Sequence, residues 1–258
     1  VTASGGFGPP GTGVTNPLTD KELNEIKRTK GIEGAAGRII ESGRIAFNEK
    51  ASITLIGSMP DNEDRKLVES ALTLEAQKGR LLKDGERSKV VLGHDFLQKD
   101  NGFDKPITPG SKVIIQDKKF TVVGILEKKG NFQLDKSIFM NEVDMRTMFN
   151  RPSNEYDFIA AKFDENINLD RLTEDLEKNL RKVRDVKEGE EDFSVDTPQS
   201  IVETVGSILL GIQIFIYIIA SISLLVGGIG IMNTMYTAVI ERTKEIGIMK
   251  SIGAKNST

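Results

Sequence analysis

With 258 residues the chain is long enough for one large domain or two modest ones, and its 28% of charged residues is ordinary for a soluble protein. It has no cysteine, which excludes disulfides and thiolate metal sites, and its single histidine, His94, excludes a site that needs two imidazoles. A formal net charge of −3 argues against general nucleic-acid binding, so we expect no nucleic-acid partner.

The first 18 residues are rich in glycine, proline, serine and threonine, and they predict a flexible lead segment. Residues 6–15, GFGPPGTGVT, come within one residue of the phosphate-binding pattern G-x-x-x-x-G-K-[ST]. Val14 stands where that pattern needs its lysine, no strand precedes the loop, and Pro17 interrupts the place where its helix should begin. We therefore expect no nucleotide site here; a chain that is itself an ATPase is the alternative.

Residues 19–196 combine helix and strand patterns and predict an α+β domain. Thr19 and Glu22 form the pair of a capping box, so a short helix should begin there. Another helix should follow Asn141 to about residue 149, and residues 60–70 are a helix or a polar connection. A helix over 168–186 is predicted from apolar residues at every third or fourth position: Leu169, Leu172, Leu176, Leu180 and Val183. Strand patterns lie at 35–47, 52–56, 89–93, 112–126 (a hairpin turning at 117–118), 156–163 and 193–195.

Two features of this domain are candidate ligand sites, and neither has the residues that such a site needs. His94 follows a strand and is flanked by Asp95, but no partner for a metal ion is evident, so we expect a structural or surface role. Residues 188–192, EGEED, are acidic enough to attract a cation but lack the spaced ligands and glycine of a calcium loop. We expect a solvated turn there, and no catalytic, metal or cofactor-binding residue in the chain.

Residues 204–240 include no charged residue, although the chain is rich in charge on both sides of this run. Thr197 and Pro198 supply a capping hydroxyl and a proline at the first helical position, so a helix should begin there. Crossing about 30 Å of hydrocarbon takes roughly 20 helical residues, and this run exceeds that length. We predict a juxtamembrane and transmembrane helix over 197–240, embedded in the lipid bilayer. The alternative is a buried core helix, which rarely runs so long without charge.

One face of this helix carries small residues at alternating spacings of three and four: Ala220, Ser223, Gly227, Gly230, Thr234 and Thr237. Small side chains let a second backbone approach closely, which is a main source of helix association in lipid. We therefore predict that this face packs against another helix. The alternative is the general enrichment of glycine in membrane helices.

Charge differs between the two sides of the uncharged run. Of the 35 basic and 38 acidic residues, four and two lie in 241–258, so 31 and 36 lie in 1–203. Lysine and arginine close to a span favour its cytoplasmic side. We therefore predict that residues 241–258 are cytoplasmic and that the α+β domain is extracytoplasmic.

Residues 227–254, GGIGIMNTMYTAVIERTKEIGIMKSIGA, resemble the second transmembrane helix and the following cytoplasmic loop of MacB/FtsX-type ABC transporter permeases. The run E-R-T-x-E-I-G-I-x-K-x-[IL]-G-A at 241–254 is the specific part of this resemblance. GRLLKDGERSKVVLG at 79–93 and PGSKVIIQDKKFTVVGIL at 109–126 are similar to the extracytoplasmic domain of the same family. Residues 94–107 depart from the family, since many members have a more apolar Leu-Phe-Gly segment there.

The resemblance implies a four-helix permease of the cell membrane, whose outer domain lies between helices one and two and has two lobes, one of them porter-like. This chain would hold the outer domain, helix two and the start of the inner loop, as a piece of a longer polypeptide. Members act as dimers, so a homodimer or a paralogous permease is expected. They pair with a separate or fused ATP-binding subunit that carries ATP and Mg²⁺, and an extracytoplasmic adaptor is a further candidate partner.

The segment 241–258 is predicted to contact the ATP-binding subunit, because the helix at this place in the family looks like the coupling helix that docks on the ATPase. Ile246, Met249 and Ile252 would supply its apolar contacts, with charged ones from Lys244 among others. The candidate coupling residues are Glu241, Arg242, Thr243, Glu245, Ile246, Gly247, Met249 and Lys250. An interfacial helix lying on lipid headgroups is the alternative.

The resemblance, together with the predicted transmembrane helix, implies a non-catalytic permease subunit. It would couple ATP binding and hydrolysis by its partner to movement of the extracytoplasmic domain, for export or extrusion of a substrate. The alternative function is a membrane-tethered binding or adhesion domain without an ATPase partner, which needs neither the small-residue face nor the specific inner run.

Overall fold

The computed structural model describes residues 1–3, 16–164 and 166–253, and the chain divides after Asp196 into two units. The first unit mixes strands and helices, and the second is one long apolar helix, so the predicted fold class is confirmed at this level. The finer division of the first unit into two lobes stays a prediction.

The helices of the described residues are, in chain order, α1 (Asp20–Arg28), α2 (Asn62–Ala71), α3 (Phe132–Asp135), α4 (Glu142–Phe149), α5 (Leu169–Arg184) and α6 (Pro198–Ser251). The strands are β1 (Thr2–Ala3), β2 (Leu18–Thr19), β3 (Ile32–Arg38), β4 (Ile40–Phe47), β5 (Lys50–Met59), β6 (Ala76–Gly79), β7 (Lys89–Leu92), β8 (Lys112–Ile115), β9 (Lys118–Leu126), β10 (Ile138–Asn141), β11 (Glu155–Tyr156), β12 (Phe158–Phe163) and β13 (Phe193–Ser194). They form a seven-stranded sheet in the order β6-β9-β7-β10-β5-β4-β8, a four-stranded sheet in the order β13-β1-β12-β3, and the pair β11-β2.

Residues 1–3, which composition places in a flexible lead, form part of the four-stranded sheet instead. Thr2 pairs with Phe158 on one side and with Ser194 on the other. The nitrogen of Val1 donates to the carbonyl of Ile159 over 2.9 Å. A two-residue strand is too short to show a periodic pattern, and its partners lie more than 150 residues away, so local sequence gives no signal for it.

The predicted strand over 35–47 is two strands that lie in different sheets. β3 pairs with β12, whereas β4 pairs with β5 and β8, and the chain crosses between the sheets at Ile39. Ser58 of β5 holds the crossing: the Ile39 N–H donates to Ser58 Oγ over 2.8 Å, and the Ser58 N–H donates to the Ile39 carbonyl over 2.9 Å. No glycine or proline separates Arg38 from Ile40, so the sequence has no turn signal at this point.

The hairpin over 112–126 is confirmed, and its turn lies one residue earlier than predicted. Ile115 pairs with Lys118, so Gln116 and Asp117 are the two turn residues. Both have positive φ angles, 44° and 62°. This is the backbone of a two-residue type I′ turn, whose twist matches that of the flanking strands.

Side-chain caps begin the helices as the sequence predicts. The Thr19 N–H donates to Glu22 Oε2 over 2.8 Å, and Thr19 Oγ1 accepts from the Lys21 N–H over 3.3 Å. Asn141 Oδ1 accepts from the Val143 N–H over 3.0 Å at the start of α4. Each cap satisfies a backbone donor that has no partner within its helix.

The predicted apolar stripe of α5 faces the interior of the first unit. Leu172, Leu176 and Leu180 are buried in one cluster with Ile26 of α1 and Ile159 of β12. Burying a leucine stabilises the fold by about 1.5–3 kcal/mol relative to leaving it exposed. The stripe therefore fixes α5 in a helix–sheet layer with the four-stranded sheet.

The long helix α6 runs without a break over 54 residues, which is about 80 Å at 1.5 Å per residue. Its stretch Val205–Ser251 is, among the described residues, the one helix long and apolar enough to cross a membrane. None of its most apolar window is buried in the chain, which weighs against the buried core helix. Gly253, with a φ of 92°, ends the helix and donates its N–H to the Lys250 carbonyl over 3.1 Å.

Candidate coupling segment and helix-packing face

The six small residues of α6, which we call the small-residue face, lie on one side of the helix. At about 100° per residue they fall within an arc of roughly 100°. The arc drifts by about 20° for every seven residues, because each pair of steps, of three and four residues, falls short of two full helical turns. A partner helix that follows this face would cross α6 at a small angle of about 20°, as in left-handed coiled coils.

The glycines of this face are not required by neighbours within the described chain. A Cβ added at Gly227 or at Gly230 would meet no atom within 4 Å. Neither has the positive φ that makes a glycine obligatory. Their lack of a side chain therefore keeps a strip of backbone open to a second helix.

The hydroxyl groups of the same face are satisfied within α6. Ser223, Thr234 and Thr237 each donate to the carbonyl oxygen four residues earlier, over 2.9 to 3.0 Å. A hydroxyl bonded in this way presents mainly its methyl or methylene surface outward. The face is therefore compatible with hydrocarbon and with a closely packed helix.

The candidate coupling residues continue the same helix and carry an exposed ion pair. Arg242 Nη1 lies 3.0 Å from Glu245 Oε2, and the two side chains are 80% and 58% exposed. An exposed pair of this kind contributes at most about 1 kcal/mol to stability. Both groups can therefore exchange this contact for one with a partner surface at little cost.

The structure divides the eight candidate coupling residues between two sides of the helix. Ile246, Met249 and Ile252 follow one another at intervals of about 60° around the axis, and Arg242 and Glu245 lie within their arc. These positions therefore form one mixed face of apolar and paired charged groups.

The remaining candidates lie elsewhere on the turn. Thr243 and Gly247 are on the other side, and Glu241 and Lys250 lie just beyond the two edges of the mixed face. The Thr243 hydroxyl donates to the Val239 carbonyl over 2.7 Å. A single docking groove could cover the mixed face but not all eight residues at once.

His94 is held by two amide side chains. Its Nδ1 lies 2.9 Å from Gln77 Oε1 and its Nε2 lies 2.8 Å from Gln98 Nε2. Both ring nitrogens are thus occupied by hydrogen bonds within the first unit. Across the described part of the chain, no group of three or more His, Cys, Asp or Glu residues is placed to hold a metal ion. The phosphate-loop-like stretch at 6–15 lies outside the described residues.

The acidic turn at 188–192 is more than the solvated turn that the sequence predicts. Glu191 Oε1 lies 2.7 Å from Arg181 Nη1, and Asp192 Oδ1 lies 2.6 Å from Arg184 Nε. The hydrogen bond from Arg184 holds the pKa of Asp192 below its ordinary value. Two of its carboxylates therefore fasten the turn to the C-terminal end of α5, where they also offset the charge of the two arginines.

Sequence reasoning missed the buried ion pairs of the first unit. Asp157, 1% exposed, binds Arg151 over 2.6 Å and accepts the Ile40 N–H over 2.9 Å. Arg151 also binds Glu41 over 2.7 Å. This network fixes the start of β4 beside the crossing between the sheets. No local pattern could reveal it, because Glu41 and Arg151 lie 110 residues apart.

The sequence matches two family models, one in each unit. Residues 1–179 match the MacB-like periplasmic core domain, and residues 217–258 match the FtsX-like permease C-terminal. The chain belongs to the MacB/FtsX-type ABC transporter permeases. The resemblance indicated by residues 227–254 is thereby confirmed, and a permease of this type is a membrane subunit.

Curated relatives extend beyond this MacB/FtsX-type chain. It is 36% identical over 241 residues to the uncharacterized ABC transporter permease MJ1507 of Methanocaldococcus jannaschii, with 93% of this chain and 58% of that protein covered. It is 29% identical over 255 residues to the macrolide export ATP-binding/permease protein MacB of Neisseria gonorrhoeae, with 97% and 38% covered. The chain therefore spans less than two thirds of the length of either relative.

Solved structures share the fold of the MacB/FtsX-type outer domain. The periplasmic region of MacB from Actinobacillus actinomycetemcomitans aligns with a TM-score of 0.58 at 18% identity, covering 80% of this chain and 90% of that one. The extracellular domain of the noncanonic ABC-type transporter YknZ from Gram-positive bacteria aligns with a TM-score of 0.53 at 15% identity, covering 67% and 87%. These findings, with the apolar α6, fit a membrane-anchored protein with an extracytoplasmic domain.

Proposed function

We propose that this chain belongs to a permease that couples ATP binding and hydrolysis in an ATP-binding subunit, separate or fused, to movement of its extracytoplasmic domain. The movement would drive export or extrusion of a substrate. The observation that supports this most is the continuity of α6, which joins the apolar span to residues 241–251 of the family-specific run in one helix of about 80 Å. A helix with an unbroken hydrogen-bond ladder transmits a displacement along its axis.

The membrane arrangement follows from the charges and the small-residue face. We propose that residues 241–258 are cytoplasmic, because lysine and arginine predominate there, and that the first unit is extracytoplasmic. The small-residue face packs against a second transmembrane helix, in a homodimer, a paralogous permease or the same multi-pass chain. An extracytoplasmic adaptor would bind the first unit.

We also propose that the two larger sheets mark the two lobes expected of the outer domain. The four-stranded sheet with α1 and α5 has its own buried cluster, and so does the seven-stranded sheet. The former is a compact helix–sheet layer of the kind expected for the porter-like lobe.

The coupling role is tested on the full-length permease reconstituted with its ATP-binding subunit. Glu245→Arg and Gly247→Leu are each combined with a spin label at the exposed position Lys99. We expect ATP hydrolysis within about twofold of the unchanged protein and loss of the ATP-dependent change in label distance between protomers. Ser251→Ala is the control, because the Ser251 hydroxyl only bonds the Ile248 carbonyl of its own helix. An unchanged distance response in both variants would refute the coupling assignment.

Co-purification separates this proposal from its rivals. A tagged full-length permease should retain a nucleotide-hydrolysing partner or fused domain, whereas a membrane-tethered adhesion domain would bring down none. If the chain itself were the ATPase, a photoreactive ATP analogue would label residues 6–15. We expect labelling of the ATP-binding subunit only.

A further inference from the structure

Arg38 is a buried cation at the end of β3 without an anionic partner among the described residues. It is 5% exposed, and its Nε donates to the Ser58 carbonyl over 3.0 Å. Its guanidinium carbon lies 5.8 Å from the centre of the Phe139 ring. Burial lowers the pKa of Arg38 to about 10, so the group stays protonated at neutral pH.

The other arginines of the first unit whose side chains are less than one fifth exposed all bind carboxylates. These pairs are Arg65–Asp61, Arg146–Glu142, Arg151–Asp157 and Arg184–Asp192. A buried charge without a counter-ion costs several kcal/mol, and arginine is almost never fully buried unless it is paired. Within the described part of the chain, Arg38 is the exception to this rule.

The guanidinium of Arg38 lines a cavity of about 90 Å³. Its walls are mainly apolar, from Ile40, Leu55, Leu134 and Phe139, and Gln133 and Ser137 also line it. The cavity is open to solvent at its rim, since Ile40 and Leu55 are only half-buried. A space of this size holds about three waters, or a ligand of a few heavy atoms.

Gly57 on β5 leaves room for the charged group within the same cavity. A Cβ at Gly57 would lie 2.7 Å from Arg38 Nη2, so any larger residue would displace the guanidinium. Nη1 and Nη2 make no hydrogen bond to a described residue, which leaves their N–H groups free for a ligand.

We propose that this cavity binds a small carboxylate on a short aliphatic chain. The planar fork of Nη1 and Nη2 matches the two oxygens of a carboxylate, and the apolar walls match the aliphatic chain. A multiply charged phosphate or sulfate fits less well, because the walls around Arg38 provide no second cation. The bound anion would supply the counter-charge that every comparable arginine obtains from a neighbouring side chain.

The test uses the full chain in detergent and butyrate as the probe, at constant ionic strength set with NaCl. We expect butyrate to raise the melting temperature of the first unit with saturation, and butyramide, its neutral isostere, to have no saturable effect. Arg38→Met should raise the butyrate concentration at half-saturation at least tenfold. Replacing a buried charge by an apolar side chain of similar length is often tolerated, so this variant is expected to fold.

Two further variants keep the test decisive. Leu55→Phe fills the rim of the cavity without removing the charge. It should raise the butyrate concentration at half-saturation at least fivefold. Arg44→Met removes an exposed arginine, 60% exposed and 3.8 Å from Asp117, and should leave the butyrate response unchanged. Equal effects of butyrate and butyramide, no saturable effect of butyrate, or an unchanged response in both Arg38→Met and Leu55→Phe would show a cavity filled by water only.

Discussion

Glu86, between β6 and β7, is held in its charged form by three neighbours. Arg80 donates to its two oxygens over 2.8 and 2.6 Å, Lys89 Nζ donates over 2.8 Å and the Lys83 N–H donates over 3.0 Å. The hydrogen bonds from Arg80 contribute most to holding the pKa of Glu86 far below its ordinary value. The folded chain therefore binds a proton at this site less readily than the unfolded chain.

This depressed pKa predicts a pH dependence of stability. Because the folded-state pKa is lower, the stabilisation by Glu86 is fully present above the unfolded value of about 4.3 and is lost as the pH falls below it. Glu86→Gln should be less stable at pH 7 by about 1 kcal/mol and should lose less stability between about pH 5 and pH 3. Urea unfolding of the detergent-solubilised chain, followed by pulse proteolysis, measures both quantities. An equal loss of unfolding free energy between about pH 5 and pH 3 in the two proteins would contradict this role of Glu86.

Asp157 provides the second prediction at the scale of one residue. Asp157→Asn removes the buried charge partner of Arg151 and leaves it with the more exposed Glu41 and, at 4.0 Å, Glu155, so we expect a loss of about 3 kcal/mol in the free energy of unfolding. The matched control is Asp104→Asn, because the Asp104–Lys50 pair is exposed at 64% and 50% and should contribute less than about 1 kcal/mol. The same unfolding assay compares them. Equal losses in the two variants would show that burial does not strengthen this network.

Residue-scale features could be predicted from the sequence only where cause and effect lie within one helical turn. The caps at Thr19 and Asn141 are such cases, because the capping group and the backbone donor are two or three residues apart. Asp157 and Arg38 are the opposite case. The burial of both residues and the ion pair of Asp157 depend on how the whole first unit packs.

The small-residue face of α6 predicts a difference between two adjacent glycines. Gly227→Leu places a large side chain on the face and should reduce assembly of the full-length permease at least tenfold. Gly228→Leu is the matched control: it lies about 100° further round the helix, and a Cβ there also meets no atom within 4 Å. Crosslinking or energy transfer between labelled protomers in nanodiscs measures assembly. A similar loss in both variants would mean that no particular face is used.

Helices and strands with a regular spacing of apolar residues could be predicted from the sequence. Strands that depend on distant pairing partners could not. The α5 stripe and the alternation of β8 and β9 are local, and both elements are confirmed. β1 exists because Thr2 fits between β12 and β13, which no local pattern encodes. The boundary between β3 and β4 was missed for the same reason, since it depends on Ser58.

The orientation of the whole chain can be measured because it has no cysteine of its own. In intact cells, Lys99→Cys in the first unit should react with a membrane-impermeant maleimide, and Ser251→Cys should react only after the membrane is permeabilised. The physical reason is the excess of lysine and arginine after the span, which favours the cytoplasmic side. Labelling of Ser251→Cys in intact cells would contradict the proposed topology.

At the scale of the whole molecule, the family could be predicted from one short run of sequence. What the outer domain binds could not be predicted in this way. Residues 241–254 combine charge, glycine and apolar positions at fixed spacing, and the FtsX-like match covers them. The coupling role of Glu245 and Gly247 stays a prediction, as does the partner of the small-residue face. The surface and cavities of the outer domain arise from residues far apart in the chain, so no short run could predict what they bind.

Ser58 has a consequence for how the outer domain can bend. Its N–H, its hydroxyl and its carbonyl all bond the two residues at which the chain crosses between the sheets, and the residue is fully buried. Swinging one sheet against the other would break these three hydrogen bonds, at about 1–3 kcal/mol for each buried group left unpaired. Bending at this crossing is therefore costly, and the movement that we propose for this domain should pivot at a place other than Arg38 and Ile39.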